Sequence, residues 1–283
     1  MIRSLSSAVS GIQQFQQELD VIGNNIANVN TLAFKAARTD LADSFSQTLS
    51  VSSMAGGSTE QVGLGVTTAA ITNQYTQGAI TRTGVQTDLA VAGEGFFVVK
   101  DPVSSSLYVT RAGDFQVDQN GYLVTNGGLR VQGYNDLALS ALGDIQIDAA
   151  VRPASSSPTA TMAAYSIDSL GKVSISLTDG SEYVRGQILM QNFTNPQGLI
   201  KQGNNLYAGI GAAGPLGGSG APTPAAAGTS GLGQIQSGAL ELSNVDLSNE
   251  FANLIQTERA FQANARMITT SDEMLTELVN LKR

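Results

Sequence analysis

The residues of this sequence that could do chemistry are few, and each has a plainer reading beside it. Asp118-Gln119-Asn120-Gly121 begins like a calcium loop, which needs several oxygen ligands in a short span. No carboxylate closes it, because Thr125 to Gly128 supply none, and Asn-Gly between strand-like runs is a hairpin signal. Gly93-Glu94-Gly95 could suggest a phosphate cradle, but Phe96-Phe97 follows it as a strand would, not as a helix N-terminus, so a tight turn or bulge is expected. Asp88, Glu94, Asp114 and Asp118 are acids from which a glycosidase would need two at a set separation. Nothing selects a pair, and there is no Trp to stack a sugar ring. Arg82, Arg111, Arg130 and Arg185 stand singly in the same region, where solvated surface is the expected role.

What is missing restricts chemistry further. The chain has no histidine and no cysteine, which removes Ser-His-Asp and Cys-His catalysis, His- or Cys-ligated zinc, axial haem ligation and disulfides. No cofactor and no metal site is expected, and the chain reads as no enzyme. A net charge of −8 without a Lys/Arg cluster argues against nucleic-acid binding. No run approaches the length of a membrane span, and Ser4, Ser6, Ser7 and Ser10 break any secretory apolar region after Arg3. Charged residues make up 13% of the 283, about half the usual share. Uncharged polar surface is easier to desolvate against a neighbour than ions are, which suits extensive protein contact.

The elements that must present that surface follow from periodicity. Leu5, Ala8, Ile12, Phe15, Leu19, Ile22, Ile26 and Val29 alternate spacings of three and four, the seam of a coiled coil. Ser6, Ser10, Gln13, Gln14, Gln17, Asn24, Asn25 and Asn28 form an uncharged back, expected to face other subunits or a narrow space. From Leu247 a second seam runs Phe251, Leu254, Glu258, Phe261, Ala265, Ile268, Asp272, Leu275 and Val279, with Asn244 or Asp246 as its N-cap. Between the two, short apolar runs separated by Gly and Asx turns give an all-β, hairpin-rich domain. Asn120-Gly121 and Asp179-Gly180 are expected as type I′ turns with both residues at positive φ. The fold class is therefore α+β, with long terminal helices pairing as a coiled coil. Its parts are a helix at 1–34, a connecting arm at 35–62 with a Gly56-Gly57 break, a β domain at 63–207, a Gly/Ala/Pro-rich linker at 208–233 and a C-terminal helical segment at 234–283.

On these residues the chain resembles a known family. Leu19-Asp20-Val21-Ile22-Gly23-Asn24-Asn25-Ile26-Ala27-Asn28, followed by Phe34-Lys35, is similar to the rod-and-hook signature of the axial proteins of the bacterial flagellum. Asp88 to Phe97, Thr110-Arg111-Ala112-Gly113-Asp114-Phe115 and Gly121 to Val124 resemble its central motifs, and Ser243-Asn244-Val245-Asp246 through Ala265 its C-terminal one. The family usually has Gly before Phe-Lys, whereas this chain has Ala33, a change expected to alter the turn leaving the first helix. The resemblance implies a subunit that stacks with copies of itself into a hollow tube, exported through the flagellar channel. Its implied partners are the export apparatus and other axial proteins of the rod, the hook cap and the hook–filament junction, with no membrane insertion. Gln61 to Val66, Asn195 to Leu199 and the last six residues look most like hook subunits, so a hook is the expected assembly, and the distal rod is the alternative favoured by the short chain. Asn24, Asn25, Asn28, Phe34, Lys35, Asn244 and Asp246 carry over as family-motif positions.

Overall fold

The computed structural model describes residues 2–50, 60–148, 151, 153, 160–217 and 222–281. The chain forms two compact units, one from residues 1–29, 35–74 and 245–283 and the other from residues 30–34 and 75–244. Helices lie at the two termini and β-structure fills the centre.

In the first unit, α1 spans Ile2–Ala27 and α2 spans Leu247–Leu281. Asp246 caps α2: its Oδ1 accepts the Ser248 N–H at 2.9 Å and its carbonyl accepts the Glu250 N–H at 3.0 Å. The Ser248 N–H would otherwise lack an intrahelical partner, and the bond to Glu250 is the first of the helix. Asn244, the other capping candidate, is used elsewhere. The arm is a β-ribbon longer than its sequence signal. Strands Ala37–Asp43 and Val66–Asn73 pair antiparallel, and Ser46–Ser50 pairs with Glu60–Gly63 beyond them. The Gly56-Gly57 break lies outside the described residues.

The second unit is built on a mostly sequential antiparallel sheet. Its order runs Met162–Ile167, Lys172–Leu177, Glu182–Gln191, Arg130–Tyr134, Phe96–Lys100, Leu107–Thr110, Leu206–Ala208 and Ile200–Gly203. The run Phe96-Phe97-Val98-Val99 is buried on both faces, which is why it does not alternate. Phe97 and Val99 join Leu89, Val131 and Ile188 in the larger core. Phe96 and Val98 join Val109, Phe193 and Tyr207 in the smaller one, where the Phe96 ring meets Phe193 edge-on at 5.7 Å. Burying each such side chain contributes about 1.5–3 kcal/mol relative to exposure.

Several local expectations change. At Asp118–Tyr122 only Gly121 has positive φ, and the Gly121 N–H bonds the Asp118 carbonyl while Asp118 N–H bonds Tyr122. That is a three-residue loop with a glycine bulge, not a type I′ turn, and Leu177–Ser181 repeats it around Gly180. Within these loops Asp118 accepts the Gln119 N–H and Asp179 the Ser181 N–H. The 208–233 stretch, expected as a linker, packs: Ala225–Ala226 pairs with Glu182–Gln191, and Ala213, Ala227 and Leu232 are buried. Small side chains there let backbone approach backbone.

Two of the four arginines are not surface residues. Arg111 is 2% exposed, lies 3.5 Å from the buried Glu241 carboxylate and stacks 5.1 Å from the Phe96 ring. Arg185, equally buried, is met by Asp148 at 3.0 Å and by the Asn135 carbonyl at 2.7 Å. For Arg185 a carboxylate and fixed hydrogen-bond acceptors replace its water, whereas Arg111 has the Glu241 carboxylate and the Phe96 ring, with its Nε left unbonded. Glu241 also accepts the Gly78 N–H at 2.9 Å through Oε1, and its carbonyl accepts the Ala33 N–H at 2.8 Å. Ala33 keeps φ at 54°, so the turn survives without glycine at a cost of about 1–2 kcal/mol for a left-handed L-residue.

Two glycines make a test with opposite signs. A Cβ on Gly113 would fall 1.7 Å from the Leu89 carbonyl oxygen, whereas one on Gly23, just before the last turn of α1, meets nothing within 4 Å. Gly113→Ala should therefore destabilise by more than about 3 kcal/mol and Gly23→Ala should stabilise α1 by about 1 kcal/mol, both read by thermal unfolding followed by circular dichroism.

Candidate assembly surface

The first unit is organised around Asn25, 1% exposed near the C-terminus of α1. Its Oδ1 accepts the Ala37 N–H at 3.0 Å, and its Nδ2 donates to the Ala37 carbonyl at 2.8 Å and to Glu250 Oε1 at 3.1 Å. One carboxamide thus completes the first residue of the arm as a neighbouring strand would, and reaches α2 as well. Its neighbours in the motif act locally: Asn28 donates to both the carbonyl and the side chain of Asn24 at 2.9 Å, closing the end of the helix.

Part of the uncharged back of α1 is used inside the chain, and Asn25, expected to face other subunits, is buried because Ala37 and Glu250 take up its carboxamide. Ser10 Oγ accepts the Val66 N–H at 3.4 Å, Gln17 accepts from Thr68 at 2.8 Å, and Gln14 bonds the same hydroxyl. These residues hold the arm, leaving Ser6, Gln13 and Asn24 outward. On the seam itself, Ala8 and Ile22 are buried, and Leu5, Ile12, Phe15, Leu19, Ile26 and Val29 are half-buried.

On α2 the covered stripe differs in part from the apolar count. Leu254, Phe261 and Ile268 are half-buried, but Phe251, Leu275 and Val279 are exposed, Phe251 by 50% and Val279 by 67%. The positions covered between the first three are Thr257, Asn264 and, beyond them, Ser271, with Glu250 before. From Asp272 to Leu281 every residue is exposed, Met274 and Leu278 among them. Counting apolar residues alone misses this polar stripe, whose signal is the seven-residue spacing of Glu250, Thr257, Asn264 and Ser271.

Of the remaining motif residues, Phe34 and Asn244 stand in the second unit and Lys35 and Asp246 in the first. The Phe34 carbonyl accepts the Asn244 N–H at 3.3 Å, and Asn244 Nδ2 bonds Thr76 Oγ1 at 2.8 Å. The Lys201 ammonium sits 4.7 Å from the Phe34 ring centre. Lys35 is fully buried. Of the acids considered for catalysis, Asp88 and Asp114 do meet, across an antiparallel bridge, each held by a side-chain donor, Thr83 and Asn126. Burial raises the Asp114 carboxyl above its ordinary range, with a smaller push from Asp88. Among the described residues no group of three or more acids, His or Cys is placed to hold a metal ion, and no helix is long and apolar enough to cross a membrane.

Burial also raises the carboxyls of Glu18 and Glu250, against the opposing hydrogen bonds from Thr257 and Asn25, and Asp246 adds to the rise at Glu250. A carboxyl whose folded pKa lies above its unfolded value binds more protons folded, so its contribution is full below the unfolded pKa and is lost as pH rises through the folded one. The helix unit should therefore melt at higher temperature as pH falls from neutral toward the ordinary glutamate range. Glu18→Gln should raise the neutral-pH melting temperature and flatten that dependence, as circular dichroism of the helices will record.

Comparison with known proteins closes the description of this surface. Three family profiles match: "Flagella basal body rod protein" over residues 5–35, "Flagellar hook protein FlgE/F/G D1 domain" over 90–175, and "Flagellar basal body rod FlgEFG protein C-terminal" over 236–281. The flagellar basal-body rod protein FlgG of Bacillus subtilis is 42% identical over 288 residues, covering all of both chains. FlgG of Agrobacterium fabrum is 34% identical over 96% of this chain and 97% of its own. The flagellar hook protein FlgE of Borreliella burgdorferi is 28% identical in an alignment 449 residues long that covers both chains. The chain belongs to the flagellar rod and hook FlgE/F/G family, and is a structural component of the bacterial flagellum and not an enzyme.

Proposed function

We propose that this protein is the subunit of the distal rod, not of the hook suggested by parts of its sequence. The observation that carries the reading is length together with identity. A rod protein aligns with 42% identity end to end over 288 residues, whereas the Borreliella hook protein needs an alignment of 449 residues and drops to 28%. The hook relative accommodates more chain than these 283 residues hold, which is what a further outer domain would require.

In this reading α1 and α2 form a coiled-coil stalk in the inner layer of a hollow helical stack around an export channel, and the β-rich unit forms the outer layer. The exposed apolar residues of α2, with Phe251, Ile255, Met267 and Met274 each about half exposed, exceed the scattered apolar atoms of an ordinary surface and would be covered by neighbouring copies. Ser6, Gln13 and Asn24 offer α1 a contact face that costs no ion desolvation. Phe45, 87% exposed where the arm's two pairs of strands meet, is a second such contact. Joining to rod and hook proteins at the ends, and passage through the flagellar export apparatus, follow from the same reading.

Electron microscopy of a deletion strain tests it. A truncated rod without hook is the expected result; an intact rod lacking only its hook would restore the hook reading. Ile22→Asp, which buries an unpaired carboxylate at a cost of several kcal/mol, should abolish rods in the complemented strain, and normal rods would refute the stalk.

A further inference from the structure

Three contacts between α1 and α2 obey one rule. Asn25 donates to Glu250 at 3.1 Å. Glu18 is hydrogen-bonded by Thr257. Gly11 faces Asn264 so closely that a Cβ there would lie 2.6 Å from Nδ2. In every pair the two residue numbers have the same total, and successive pairs step by seven on both helices in opposite senses. That is an antiparallel arrangement advancing by whole heptads. The next step along the same rule sets Ser4 against Ser271, which is buried, its hydroxyl donating to the Met267 carbonyl at 2.7 Å.

The apolar residues beside these rungs cannot choose a register. Ala8, Phe15 and Ile22 on α1 and Leu254, Phe261 and Ile268 on α2 also repeat every seven. A slide of one heptad pairs them afresh with residues of the same kind, and hydrophobic attraction is non-directional. The rungs disfavour it. A slide one way brings Glu18 opposite Glu250, two carboxylates that burial already disfavours in their charged form. A slide the other way carries Asn264 from the space left by Gly11 onto Glu18, and takes Glu250 past Asn25.

We propose that Gly11, Glu18 and Asn25, with Asn264, Thr257 and Glu250 opposite them, fix α1 and α2 in a single antiparallel register that the apolar stripes alone would leave open. The proposal rests on the coiled-coil stalk of the preceding section. It assigns the stalk's geometry to its least hydrophobic residues: two hydrogen-bonded rungs, and one rung where a missing side chain admits a carboxamide. The register sets which stretch of α2 lies against α1, and so which apolar residues of the stalk are presented outward.

The chain has no cysteine, so introduced pairs report the register without background. In the full-length protein under mild oxidation, Ser4→Cys with Ser271→Cys probes the native register, and Ser4→Cys with Leu278→Cys probes the one-heptad slide that carries Asn264 onto Glu18. The native pair should form its intramolecular disulfide at least about tenfold faster, the discrimination one charge-assisted hydrogen bond corresponds to. With Glu18, Thr257 and Glu250 all changed to Leu, which removes both hydrogen-bonded rungs but leaves Asn25 bonded to both backbone groups of Ala37, and with helix content by circular dichroism unchanged, the preference should fall to within about threefold. A preference undiminished by those changes would overturn the proposal, as would equal cross-linking of both pairs with the rungs intact. Absence of both disulfides, in the free protein and in assembled rods alike, would instead refute the helix pair on which the proposal rests.

Discussion

The carboxamide of Asn25 is the interaction on which the first unit depends. Buried at the end of α1, it spends its donor and acceptor on both backbone groups of Ala37 and a further donor on Glu250. Removing it would leave buried backbone groups unsatisfied, which costs more than the net gain of the bonds themselves. Through it α1, the arm and α2 become one body, although they lie at residues 2–27, 37–73 and 247–281. The second unit has a comparable anchor in Glu241, whose side chain and carbonyl hold Gly78, Arg111 and Ala33. Each unit is thus closed by a buried polar group that joins distant parts of the chain, and apolar burial supplies the bulk of the stabilisation around it.

That arrangement suits a protein made for stacking. A helical subunit must expose much surface that is covered in the assembly, yet keep its shape. Polar anchors fix geometry where apolar contact alone would allow neighbouring solutions. Phe251, Ile255 and Met274 can then remain outward without collapsing onto the chain's own core, because the interior positions of α2 are already committed to Glu250, Thr257 and Asn264.

The regular parts of this architecture were readable in the residues. The apolar period of α1, the turn glycines of the β region and the Asp246 cap each follow from local stereochemistry. What escaped was whatever depends on a partner far along the chain. Leu254, Phe261 and Ile268 belong equally to two stripes, one continued by Phe251 and one by Glu250. Hydrophobicity favours the first, but Asn25, Glu18 and Gly11 on the other helix select the second. Arg111 and Arg185 looked like surface because their carboxylates, Glu241 and Asp148, are 130 and 37 residues away. The arm's second long strand, Val66–Asn73, is rich in Thr and Ala and shows little alternation, so it declared itself only through pairing with Ala37–Asp43. The end motifs alone did not separate hook from rod; a rod relative aligns end to end at 42% identity, whereas a hook relative needs 449 aligned positions at 28%.

The central claim is that α1 and α2 of one chain pair with each other and that this pair is the inner element of the assembly. A cryo-electron microscopy map of basal bodies containing this protein, at a resolution that traces side chains, tests it most directly. The account predicts α1 and α2 of the same subunit innermost and antiparallel, with Asn25 in hydrogen-bonding contact with Glu250 of its own chain. A map in which Asn25 meets the α2 of a different subunit, or in which the helices lie outside the β-rich unit, would contradict it.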